Sequence, residues 1–135
     1  MQNDSIFLSE VKDFFYEIHP TLSAKVMEIY NAKDFFVDEK NDGSPVTQAD
    51  LVVNDILREK LTNKFPDIPI LSEENTYPKE IPSLFWLIDP LDGTKEFINR
   101  SGEFTINVAL VKNTQSIFGY VAAPAIDEIL SLIHI

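Results

Sequence analysis

The sequence predicts an α+β fold in which N-terminal helices pack on a mostly antiparallel sheet, giving a layered α/β/α arrangement. Two observations carry this prediction. Apolar residues recur at helical spacing in the first half of the chain, whereas short apolar or alternating runs separated by turn residues fill the second half. The chain has 135 residues, of which 44% are hydrophobic, enough for one soluble domain with its own core.

Three helices are predicted. Residues 5–18 place apolar side chains on one face, and His19-Pro20 is expected to end this helix because proline disfavours the helical conformation of the preceding residue. A second helix is predicted over residues 20–31. The third is the clearest, because Thr47 and Asp50 form a T-x-x-D start signal before a run of apolar residues at helical spacing.

The strands are predicted from shorter patterns. "LFWLI" is uniformly apolar, as expected of a buried strand, and "EFTINVALVK" alternates with Phe104, Ile106, Val108 and Leu110 on one face. A turn at Asn113-Thr114 leads into the partner strand "SIFGYVAA". The remaining predicted strands are "DFFVDEK", which is followed by a turn at residues 41–43, and "IPIL".

Charge and composition exclude several classes of function. The formal net charge of −11 disfavours binding to nucleic acid or to an anionic membrane surface. The absence of cysteine excludes a disulfide framework and thiolate metal sites, and no apolar run is as long as a membrane span. No signal peptide is recognised at the N-terminus, so the expected location is the cytoplasm, with peripheral association with the inner membrane left open.

Acidic residues follow two of the predicted strands and begin the third helix. Glu73 and Glu74 follow "IPIL", and Asp89 and Asp92 follow "LFWLI". If these two strands are neighbours, their carboxylates lie close together and repel one another unless a cation neutralises them. Hard divalent cations prefer oxygen ligands, and Mg²⁺ keeps waters that substrate phosphate can replace. Together with Asp50, these residues predict a magnesium site.

The segment D-P-L-D-G-T, residues 89–94, also suits a phosphate. Pro90 stiffens the backbone, and Gly93 allows close approach of a ligand. Thr94 is placed at the start of a short helix over Lys95–Asn99, where backbone N–H groups favour an anion. Carboxylates for a metal beside amides for a phosphate indicate metal-assisted hydrolysis of a phosphate ester.

Each of these features alone also has a structural interpretation. Asp50 alone is typical of a helix-capping partner, and Thr94 alone of an N-cap. Glu73-Glu74 alone is typical of a solvated loop. Other polar or aromatic residues are assigned no chemical role from the sequence: Trp86 to the core, Thr105 and Asn107 to surface positions, and His19 and His134 to positions without partners at ligand spacing.

The combination of motifs is more specific than any one of them. "SPVTQAD", "LSEEN", "WLIDPLDGTKEF" and "GEFTINVALV", in this order, resemble the N-terminal half of the inositol monophosphatase-like superfamily over roughly residues 20–130. The continuations "KEF" and "GEFT" resemble its 3'(2'),5'-bisphosphate nucleotidase branch. The resemblance implies a sugar-phosphatase-like fold and Mg²⁺-dependent removal of the 3'-phosphate of adenosine 3',5'-bisphosphate, with two or three metal ions.

Site roles are implied by the same resemblance, motif by motif. Asp50 and Thr94 would orient and deprotonate the attacking water, and Glu74 would support the ligands. Lys40 aligns with a lysine near a third metal position. The implied metal ligands are Glu73, Asp89, Asp92 and the backbone carbonyl of Leu91, and the implied substrate contacts are Glu73, Leu91, Asp92, Gly93 and Thr94.

The family's second domain, with its W-D-x-x-A-G motif, has no counterpart in this sequence. Residues 1–130 are therefore expected to be the N-terminal metal-binding domain, truncated before that second domain and inactive alone, with residues 131–135 a non-native tail. Two alternatives stay open: an inositol monophosphatase-like sugar phosphatase, and a non-catalytic short protein that binds a metal or a partner chain. The expected partner is a small phosphorylated nucleotide or polyol, with self-association through an exposed sheet edge.

Overall fold

The computed structural model describes residues 2–32, 37–39, 45–72, 80–92, 94–98 and 101–133. Seven strands and three helices lie in these ranges. Predictions for residues 34–36, the turn at 41–43 and His134 fall outside them. The elements are α1 (Gln2–Tyr30), β1 (Val37–Glu39), β2 (Pro45–Thr47), α2 (Gln48–Lys64), β3 (Ile70–Ser72), β4 (Leu84–Asp92), α3 (Thr94–Ile98), β5 (Thr105–Lys112), β6 (Gln115–Ala123) and β7 (Glu128–Ile133).

Helix α1 corrects the prediction of two N-terminal helices, because it runs without interruption through Pro20. The ring removes one backbone donor, but Pro20 and Tyr16 both lie on the exposed side of the helix. The buried stripe continues across this position from Phe15 and Ile18 to Leu22 and Val26. Burial of one continuous apolar face therefore outweighs the local preference of the proline. In the described part of the chain, no helix is both long and apolar enough to span a bilayer.

The main sheet has the strand order β3-β4-β5-β6-β7. Strands β3 and β4 pair in parallel, and the remaining pairs are antiparallel. Asn113 and Thr114 both have positive φ and form the predicted turn between β5 and β6, a two-residue connection typical of β-hairpins. A separate antiparallel pair joins β1 to β2. The predicted α+β fold with helices on a mostly antiparallel sheet is confirmed.

One face of the main sheet carries the core. Residues Phe104, Ile106, Val108 and Leu110 are buried, as the alternation of β5 predicts, and Trp86 is fully buried as predicted. The opposite face is more open, since Leu87 of the apolar run in β4 is 40% exposed. The prediction that this run is buried on both sides is therefore wrong for Leu87.

A hydrogen bond ties α1 to β6 within this core. Nδ1 of His19 and Oη of Tyr120 lie 2.7 Å apart. Burial raises the pKa of Tyr120, so its phenol stays protonated in this contact. Burial lowers the pKa of His19 from its usual 6.5, and the Asp127 carboxylate opposes that shift. His19 thus has a structural partner that the sequence did not reveal.

We expect Pro20→Ala to stabilise the chain by about 1–2 kcal/mol, because alanine restores a backbone donor at an exposed helical position. Part of the gain is offset by the greater freedom of the unfolded chain. Urea unfolding of the variant, with Thr21→Ala at the next exposed position as control, measures the difference. An unchanged or lower free energy of unfolding for Pro20→Ala would contradict an unbroken α1.

A second prediction concerns pH. Because the folded pKa of His19 lies below its unfolded value, the unfolded chain binds the proton more readily, and His19 contributes stability that is complete above about pH 6.5 and declines below it. The free energy of unfolding should therefore fall more steeply between about pH 7 and about pH 5 for the parent chain than for His19→Gln. If the free energy of unfolding, measured with urea at each pH, fell equally with pH in the two proteins, this prediction would be refuted.

Candidate functional site

The parallel pairing of β3 with β4 brings two strand ends to the same edge of the sheet. Ser72, the last residue of β3, lies opposite Ile88, and Asp89 follows Ile88 in β4. The neighbouring strand ends that the sequence analysis required are therefore present. The predicted strand "IPIL" is shifted, because β3 begins at Ile70 and ends at Ser72.

The sequence predicts that strand β4 ends at Ile88. In the structure, β4 continues through Asp92 with a bulge. Asp89 pairs with Asn107 and Asp92 pairs with Thr105, so three steps along β4 match two steps along β5. Pro90 cannot donate to a regular ladder, and a bulge tolerates it. The bulge thus pairs both aspartate positions with residues on the same face of β5. In an unbroken ladder, residues three positions apart would be paired with residues on opposite faces.

Asp89 is half-buried on the open face of the sheet. It lines a shallow cavity of about 210 Å³ together with Leu87, Asn107 and Gly119. The amide Nδ2 of Asn107 donates to Oγ1 of Thr105 at 2.7 Å, which makes a polar row opposite the two aspartate positions. Thr105 and Asn107 do lie on the face away from the core, but they border the candidate site rather than an ordinary surface.

Asp50 lies in the first turn of α2 and is 1% exposed. Its Oδ2 accepts hydrogen bonds from the backbone N–H of Thr47 at 2.8 Å and from Oγ1 of Thr47 at 2.7 Å. The backbone N–H of Asp50 in turn faces Oγ1 of Thr47 at 3.4 Å, completing a capping box. The predicted T-x-x-D start signal is confirmed, and this network keeps the carboxylate an acceptor in a fixed orientation.

Helix α3 begins at Thr94 itself, so Thr94 is its first helical residue and not the N-cap. The helix was predicted over Lys95–Asn99 and is observed over Thr94–Ile98. It contacts β2, the strand that ends in Thr47. Helix α3, which carries Thr94, therefore lies against the strand that leads into α2, the helix of Asp50, although 44 positions separate the two residues in the sequence.

Other predicted site residues are described only in part. Glu73, Glu74, Gly93 and Lys40 lie outside the described residues. For Leu91, Asp92 and Thr94 the backbone alone is described. Among the side chains that the structure describes, no three histidine or acidic residues come together as a metal site. The ligand set implied by the sequence therefore stays a prediction, of which Asp89 is the member whose side chain is placed.

Two polar residues near the site were not predicted. Oγ of Ser72 donates to Oδ1 of Asn54 at 2.8 Å, joining β3 to α2, and both residues are buried. Asn54 lies one turn after Asp50 on the same face of α2. The signal available in the sequence was the position of Asn54 within the apolar stripe of the helix, where a polar residue needs a partner.

A larger described cavity, about 760 Å³, meets the candidate site at Thr105, which lines it. It is bordered by Met27 and Tyr30 of α1, by Glu96 and by the segment 101–105. Glu96 and Glu103 are its carboxylates, and neither belongs to the predicted site. Its size alone does not mark it as the place of chemistry, because Asp89, the predicted ligand whose side chain is described, lines the smaller cavity.

Known proteins resemble this chain in both sequence and structure. The chain is 44% identical over 110 residues to the 3'(2'),5'-bisphosphate nucleotidase CysQ of Escherichia coli O157:H7, a match covering 78% of this chain and 45% of that protein. An IMPase of Thermotoga maritima superposes with a TM-score of 0.81 at 29% identity, covering 92% of this chain and 48% of that one. The chain thus spans about half the length of these relatives.

A more distant structure shows the same fold. An IMPase/NADP phosphatase complexed with Mg²⁺ and phosphate superposes with a TM-score of 0.82 at 18% identity, covering 94% of this chain and 49% of that one. A sequence model described as the inositol monophosphatase family matches residues 8–134. Because that match runs from the first turns of α1 to the end of the main sheet, the chain belongs to the inositol monophosphatase family.

Proposed function

We propose that this chain is the N-terminal, metal-binding part of a Mg²⁺-dependent phosphatase that removes the 3'-phosphate of adenosine 3',5'-bisphosphate. The observation that carries the proposal is the convergence of β4, with Asp89 at its bulge, on the end of β3, while α3 lies against the strand that caps α2. The similarity to proteins named 3'(2'),5'-bisphosphate nucleotidase supports the choice of substrate.

The donor chemistry fits a hard cation. The proposed ligands Glu73, Asp89, Asp92 and the carbonyl of Leu91 are all oxygen donors, and the chain contains no cysteine. Oxygen donors select Mg²⁺, Mn²⁺ or Ca²⁺ over softer metals. When bound, two or three such ions would neutralise the carboxylates and the substrate phosphate, and would acidify the attacking water.

The residues of the chain supply orientation and proton transfer. Asp50 is proposed to accept the proton of the attacking water through Thr94, because its carboxylate is held in place by two hydrogen bonds from Thr47. The backbone amides of Gly93 and Thr94 are proposed to bind the phosphate, and Glu74 to support the ligands. Thr47 holds the Asp50 carboxylate in one orientation, which reduces the reorganisation that proton transfer requires.

The complete reading frame at this locus should yield a protein that prefers adenosine 3',5'-bisphosphate to inositol 1-phosphate. The 135-residue chain alone should bind Mg²⁺ weakly and show little or no turnover, because its sequence lacks the W-D-x-x-A-G motif of the resembling family. Phosphate release with both substrates measures the preference. A preference for inositol 1-phosphate would exclude the nucleotidase branch and favour the sugar-phosphatase alternative.

Substitutions in the same complete protein separate metal binding from proton transfer. Asp89→Asn should lower turnover by several orders of magnitude and weaken Mg²⁺ binding, because a ligand loses its charge. Thr94→Ala should lower turnover while Mg²⁺ affinity, measured by calorimetry, stays near the parent value. Glu103→Gln, a carboxylate of the larger cavity, is the control and should change neither quantity. Near-normal turnover of Asp89→Asn would show that the metal assignment is wrong.

A further inference from the structure

Buried polarity is concentrated at one place in the described structure. Among the described residues, four polar or charged residues are buried: Thr47, Asp50, Asn54 and Ser72. The first two form the capping box of α2, and the last two form the hydrogen bond between α2 and β3. All four lie where the first two turns of α2 meet the end of β3.

The pair formed by Asn54 and Ser72 has no evident advantage for stability. The hydrogen bond between a buried hydroxyl and a buried amide stabilises the fold by little more than the cost of removing both groups from water. Two apolar residues of similar shape can therefore give the same stability. Apolar neighbours such as Val53, Leu57 and Ile70 already pack in the core on this side of the sheet. A hydrogen bond differs from these contacts because it fixes a distance and a direction, whereas apolar surfaces can slide.

The location of the pair determines what it fixes. Asn54 follows Asp50 by one helical turn, so a displacement of one displaces the other. Ser72 ends β3 opposite Ile88, one position before Asp89. The 2.8 Å contact therefore fixes the end of β3, one position before the proposed ligand Glu73 in the sequence, at one height and one rotation against helix α2.

We infer that Asn54 and Ser72 are positioning residues whose hydrogen bond sets the start of α2 against the ends of β3 and β4 for binding of a divalent cation. The inference rests on the proposed function, since it requires the cation to bind beside Asp89. Residues that hold metal ligands in place through hydrogen bonds affect affinity by about 10–100-fold when they are replaced.

Mn²⁺ is the probe, because it accepts the same oxygen donors as Mg²⁺ and its binding to the 135-residue chain can be followed by water-proton relaxation even when weak. Ser72→Thr retains the hydroxyl. Ser72→Val has the same shape as the threonine variant but lacks the hydroxyl. Affinity for Mn²⁺ should stay within about threefold of the parent in Ser72→Thr and fall by about tenfold in Ser72→Val. Equal affinities of the two variants would overturn the inference.

The double variant Asn54→Leu/Ser72→Val separates positioning from stability. Removing both partners together avoids leaving either one unsatisfied by loss of the other, so the free energy of unfolding in urea should stay near that of the parent. Affinity for Mn²⁺ should nevertheless be about tenfold lower. A double variant that is as stable as the parent and binds Mn²⁺ equally well would overturn the inference, and this arm remains decisive if Ser72→Val alone fails to fold.

Two controls locate the effect. His19→Gln replaces the α1 partner of the 2.7 Å contact with Tyr120, at a residue that does not line the cavity beside Asp89, and should leave Mn²⁺ affinity unchanged. Asp89→Asn should abolish binding. If the parent binds no Mn²⁺, or Asp89→Asn binds as the parent does, the proposed metal site and the inference fall together. If Asp89→Asn abolishes binding and the double variant retains it, the inference alone fails.

Discussion

The parallel pairing of β3 with β4 is the constraint on which the candidate site depends. Parallel strands end at the same edge of a sheet, so Ser72 at the end of β3 lies beside Ile88, one position before Asp89. The bulge at Asp89–Asp92 then keeps β4 in the sheet for three more residues and changes its register against β5. Any displacement of β3 along β4 would separate the acidic positions that the proposed chemistry brings together.

The surroundings of these strand ends show how hydrogen bonds hold buried polar groups in place. Asp50 accepts from both the amide and the hydroxyl of Thr47, and Asn54 accepts from Ser72. Buried polar groups are costly unless they are paired, and these are paired with groups that also fix helix α2. The same hydrogen bonds that satisfy the buried atoms thereby orient the residues proposed to act on substrate.

The sequence predicts most reliably those features whose cause is local. The T-x-x-D cap of α2 and the alternation of β5 depend on residues within a few positions of one another, and both are confirmed. The sequence did not predict that helix α1 continues through Pro20 or that strand β4 continues through Pro90. In both elements the local preference of proline is overridden, by burial of α1 in one and by pairing of β4 with β5 in the other. The bond between Asn54 and Ser72 depends on how α2 docks on β3, which no local pattern encodes.

Paramagnetic broadening by Mn²⁺ tests the central claim most directly. In the 135-residue chain, added Mn²⁺ should broaden the backbone amide signals nearest the strand ends, those of Ser72, Asp89 and Asn107, and should spare the turn at Asn113-Thr114 at the far end of the sheet. The broadening should disappear in Asp89→Asn. Broadening centred on Glu96 and Glu103 at the larger cavity, with the strand ends unaffected, would contradict the account.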